Sequence, residues 1–173
     1  HIFGLVFFRP RLPPRTTGPL IALGAFTEPP FVFFTLCYFF TFWGLYFAWF
    51  YLGTFARDRL GIADTQNLLL VLNGVGIVGR IGPSIIGDRW TGRLNILIPI
   101  TLSCAILMFC WIAVSTVAGL YAFVVVYGLV GGAAQSVIPA TATTMTPDIN
   151  RTGTRLGMIM SIVGFATLTG PAI

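Results

Sequence analysis

Polar residues are scarce in this chain and come in short groups. They cluster at Arg9–Pro30, Arg57–Gln66, Asp88–Arg93, Ser115–Thr116 and Asp148–Gly153, and the stretches between them are almost wholly apolar. Five of these runs, at about 31–55, 67–86, 94–114, 117–145 and 155–173, are long enough as helices to cross a hydrocarbon core of about 30 Å. The pattern therefore predicts five membrane-spanning helices joined by short polar turns. Residues 1–8 are apolar but too short to span, and read as the tail of a preceding helix. The proline- and arginine-rich stretch that follows reads as a water-exposed connector. The chain does not begin with Met and stops inside an apolar run, so it reads as part of a longer protein.

Composition strengthens the membrane reading. The chain is 56% hydrophobic and 9% charged, against about 25% charged for soluble domains. Its sixteen Phe, twenty Gly and mean hydropathy of +0.90 fit lipid-embedded helices. The net charge of +5 is spread over the gaps between spans rather than gathered on one face, which argues for topology and against nucleic acid. Cys37, Cys104 and Cys110 lie inside apolar runs without CxxC spacing, so neither a disulfide framework nor a metal site is expected. No cofactor is expected.

One charge stands inside a span. Arg80 lies roughly 20 Å along the second run by helical rise, where a guanidinium costs on the order of 3 kcal/mol unless it faces a bundle interior or wet cavity. Asn73 is two helical turns earlier and shares its face, with Gly76 and Gly79 between them. In the fourth span, Gly128 and Gly132 form a small-residue pair suited to close helix approach, and Gln135 and Ser136 are polar at mid-depth. Arg80, Asn73 and Gln135 are the candidate substrate contacts. The plainer alternative is that Arg80 ties helices together through backbone carbonyls. The spans hold no His, Asp or Glu, hence no nucleophile–base pair and no expected enzyme. Asp88, Arg89, Gly92 and Arg93 mark the tight turn where the second span leaves the membrane.

The turn GDRWTGRLN resembles the Asp-Arg…Gly-Arg loop of the major facilitator superfamily. RLPPRTTGPL leading into AFTEPPFVFF, with ARDRLG, NGVGIVGR, DRWTGRLNILIP and GTRLGM in order, is similar to the signatures of its fungal monocarboxylate-transporter-like branch. The resemblance implies an all-α membrane protein whose five transmembrane helices make up most of the second six-helix bundle. Residues 1–30 would then be the end of a preceding helix and the cytoplasmic inter-bundle loop, and 31–173 a partial C-terminal bundle. The partners implied are the lipid bilayer, the N-terminal bundle and last helix of the same protein, and a small organic solute bound near the midplane. Arg80 falls where monocarboxylate transporters keep an arginine facing the substrate carboxylate. Gly76 stands where they commonly place an acidic residue, so the usual proton-coupling pair is not present in that form. Asp88, Arg89, Gly92 and Arg93 correspond to a cytoplasmic gating loop. It departs from the common pattern in having both Trp90 and Thr91 between Arg89 and Gly92, and Arg93 where the branch often has Pro.

The expected function is secondary-active or facilitative transport of a small organic solute, a monocarboxylate or other organic anion, by alternating access. The alternative is a non-transporting membrane sensor or scaffold on the same fold, with the proline-rich loop as its docking element. The expected location is the plasma membrane, with vacuolar and other membranes as alternatives. Seven arginines on the side of the first loop against two on the other orient that loop to the cytoplasm.

Overall fold

A computed structural model describes residues 23–62, 64–146 and 149–172. The expectations for residues 1–22, including Arg9, Arg11 and Arg15, and for the start of the loop at Asp148 lie outside the described residues. Five helices follow one another: α1 (Pro29–Leu60), α2 (Gln66–Ile86), α3 (Arg93–Ile112), α4 (Val117–Thr144) and α5 (Ile149–Thr169). Short 3-10 turns flank them at Leu23–Thr27 and Gly170–Ala172, and a wide π turn at Gly87–Thr91 joins α2 to α3. No strand occurs among the described residues. The protein is all-α.

Local chemistry sets the helix ends. Pro29 and Pro30 open α1, where a missing N–H costs nothing. Its last turn takes in Arg57 and Arg59, beyond the apolar run that ends near Phe55. It closes on Gly61, whose φ of 64° is left-handed. There Gly61 N–H donates to the Arg57 carbonyl, the single bond of an αL stop, and Ile62 N–H reaches back to the Ala56 carbonyl. Asp64 caps α2 by accepting from the Gln66 N–H at 3.1 Å. Thr116 caps α4 by accepting from Gly119 N–H at 3.1 Å.

The helices pack as a bundle with an unusual seam. The most extensive contact joins α2 to α4, followed by α3 with α4 and α1 with α5. Along α1 one stripe is buried, including Tyr38, Leu45 and Leu52 at seven-residue intervals, while Phe33 and Phe50 on the outer side are 72% and 63% exposed. Such exposure is untenable in water and ordinary against lipid. An aromatic run crosses the far end of the bundle, from Phe55 of α1 to Trp111 of α3 (5.6 Å) and on to Phe123 of α4 (5.7 Å) and Tyr127 (5.3 Å). The phenylalanines of the first run thus divide between helix packing and the lipid face.

α1 to α4 are each long and apolar enough to cross a membrane. The fifth expected span is a helix, but it starts at Ile149 and carries Arg151 and Arg155 in its first turns, and it falls short of that measure.

Candidate functional site

The site begins with glycine. Gly76 and Gly79 of α2 face Gly128 and Gly132 of α4, and no side chain separates the two backbones. A Cβ on Gly128 would lie 2.7 Å from the Leu72 carbonyl oxygen, and one on Gly79 or Gly132 would overlap the backbone of Leu129 or Gly76. Close approach of this kind replaces the hydrophobic effect as the source of helix association in lipid.

One turn past this seam the chain places a cluster of half-buried polar groups. Arg80, half-buried, donates from Nη2 to Gln135 Oε1 at 2.7 Å. The Arg80 carbonyl accepts from Ser84 Oγ at 2.8 Å and from Ser136 Oγ at 3.0 Å, and the two hydroxyls are 3.2 Å apart. Two prolines also interrupt the helix ladders nearby. Pro83 has no N–H for the Gly79 carbonyl, and Pro139 has none for that of Gln135. The serine hydroxyls do not go to those two carbonyls: they reach the carbonyls of Arg80, Gly132 and Ala133.

The expected site residues divide. Arg80 and Gln135, fifty-five positions apart in sequence, come together. Asn73 does not join them: it is exposed and donates to the Leu69 carbonyl of its own helix at 2.9 Å. Ser84 was not among the expected contacts. Its signal was its place four residues after the buried charge, one turn along the same face.

The turn after α2 forms a second polar cluster. Arg93 Nε binds Asp88 Oδ1 at 2.6 Å, and Arg93 Nη1 donates to the Ala140 carbonyl of α4 at 3.0 Å. Gly92 permits this geometry with φ of 80°. An open depression of about 500 Å³ lies over the turn, lined by Gly87, Asp88, Gly92, Arg93, Asn95 and Thr144 among others. Arg89 and Trp90 are exposed.

A third cluster was not anticipated. Arg155 of α5, read from its sequence as the start of the fifth span, is buried. It grips both carboxylate oxygens of Glu28 at the head of α1, with its guanidinium 5.6 Å from the centre of the Phe31 ring. The hydrogen bonds and charge of Arg155 hold the Glu28 carboxyl below its ordinary value of 4.5, against a smaller opposing effect of burial. Among the described residues no three His, Cys, Asp or Glu side chains stand close enough to hold a metal.

Apolar helices with a lipid-facing exterior and one charge held between two of them define a polytopic integral membrane protein. The relatives narrow the class. The chain is 39% identical over 99% of its length to an MFS-type transporter of Gibberella zeae, covering 40% of that protein. It is 30% identical over 99% of its length to the aspyridones efflux protein apdF of Emericella nidulans (35% of that protein), and 30% identical over 69% to the riboflavin transporter MCH5 of Saccharomyces cerevisiae (23% of that protein). The chain belongs to the major facilitator superfamily. It spans about two fifths of the length of the first relatives it matches. These relatives are transporters and not enzymes. No family model matches the chain. No solved structure matches it.

Proposed function

We propose that the protein containing this chain moves a small organic solute across a membrane by alternating access, and that Arg80 contacts the solute. The observation that carries this reading is the Arg80–Gln135 pair. A guanidinium is held in a span with a neutral amide on one arm, and among the described residues no acidic side chain bonds to it. Such a group attracts a carboxylate or another acceptor, and its planar fork favours bidentate binding. The reading places the solute among organic anions, with monocarboxylates foremost, and the chain in the monocarboxylate-transporter-like branch at the plasma membrane. The names of the relatives support transport more broadly, since one is an efflux protein and one a riboflavin transporter. Asp88, Arg89, Gly92 and Arg93 serve in this scheme as a gating turn on the cytoplasmic face.

The test is uptake of a panel of labelled organic acids by cells expressing the full-length protein, normalised to surface protein. Arg80→Gln is expected to abolish uptake of whichever acid is carried. Arg80→Lys is expected to lower it at least about tenfold, because the charge stays but the fork is lost. Normal uptake per molecule in Arg80→Gln would leave Arg80 as a helix tie and end the solute-contact reading.

A further inference from the structure

Arg80 is fixed at both ends. Its backbone carbonyl takes hydroxyls from α2 and α4, through Ser84 and Ser136. Its side chain reaches α4 again through Gln135. The glycine seam one turn away brings the two backbones into direct contact. The amide orientation follows from chemistry, since a guanidinium has only donors and so must meet the amide oxygen.

The identity of that acceptor matters. A carboxylate here would form an ion pair and cancel the positive charge. An amide oxygen takes one N–H and leaves the charge whole, with the other guanidinium donors still to be used. Among the described residues the acidic groups at this end of the helices are engaged elsewhere: Asp88 binds Arg93 and Glu28 binds Arg155. Asp58 and Asp64 belong to the opposite end of the helices.

We propose that Gln135 is a positioning and specificity residue: it aims the Arg80 guanidinium while keeping it free to bind an organic anion. This rests on the reading of Arg80 as the solute contact, and deepens it. Gln135 need not touch the solute to set its charge class. A neutral acceptor at this position selects anions, and an acidic one would select against them.

The experiment uses the purified full-length protein and benzoate as the probe, with half-saturation read from the shift in thermal unfolding. The wild-type protein is expected to be stabilised saturably. Gln135→Glu is expected to unfold at the same temperature or higher, yet to need at least about tenfold more benzoate, because the new carboxylate occupies the guanidinium. A general packing defect would lower the unfolding temperature and weaken benzoate binding together. Gln135→Asn keeps the neutral amide on a shorter arm, and is expected to weaken benzoate several-fold; it also carries the test should Gln135→Glu fail to accumulate. Arg80→Gln is expected to lose the response. If Arg80→Gln loses it while Gln135→Glu and Gln135→Asn keep the wild-type half-saturation, the role of Gln135 is overturned and Arg80 stands. If Arg80→Gln responds like wild type, or the wild type itself shows no saturable response, the underlying anion reading falls and takes this one with it.

Discussion

Gly79 shows how much a single methyl group can decide. Its missing Cβ is the space occupied by the Leu129 backbone, which cannot rotate away as a side chain could. Gly79→Ala should therefore force α2 and α4 apart, costing about 1–3 kcal/mol as overpacked sites do, and lowering the thermal midpoint of the purified full-length protein. Gly74→Ala, on the same helix with nothing within 4 Å, should be neutral or slightly stabilising, since alanine suits a helix better. Equal midpoints for the two variants would discount the seam. At this scale much was legible in the sequence. A charge within an apolar run announces Arg80, and the glycine spacing announces close packing. The helical period also put Asn73 on the face of Arg80, but a period says nothing of bonds, and Asn73 satisfies its amide on its own helix. That Gln135 would be the partner of Arg80 was not legible, because it depends on how two distant segments meet.

Among the elements, the join of α1 to α5 was the hardest to foresee. Glu28 lies in a stretch read as connector, and Arg155 at the start of the fifth span; only the packed helices bring them together. The pairing makes a prediction about acid. Because the folded carboxyl is held below its ordinary 4.5, the tie stabilises the fold fully above that value. It is lost as pH falls through the lower folded value. Thermal midpoints measured from pH 7 to pH 3 should fall for the wild type with a component absent from Glu28→Gln, and the two proteins should converge at the acid end. Parallel curves would show that the tie adds nothing to stability. The turn between α2 and α3 makes a prediction about rate. Asp88→Asn removes the ionic part of its bond with Arg93 and should slow uptake by the full-length protein at normal surface expression. Unchanged uptake would count against a gating role.

For the whole molecule, alternation of the helices gathers Glu28, Asp88, Arg89, Arg93, Arg151 and Arg155 at one end and Arg57, Asp58, Arg59 and Asp64 at the other. The excess of arginine at the first end should face the cytoplasm. A cysteine at Trp90 should react with an impermeant maleimide only after the cell is opened, and one at Asp58 in intact cells, with Cys37, Cys104 and Cys110 replaced beforehand. The reverse result would invert the topology. The all-α architecture was legible because lipid enforces long apolar runs. The amphipathic character of α5 was less so, since its arginines read as a boundary until the ion pair with Glu28 explains one of them. The seam between α2 and α4 has a mechanical consequence. Where backbone lies on backbone there is no soft layer of side chains to absorb displacement, so those two helices should move together as one beam. On the proposed reading, a solute that pulled on Arg80 would pull on both helices at once, and the give needed to open and close a pathway would come from the joints around that beam rather than from within it.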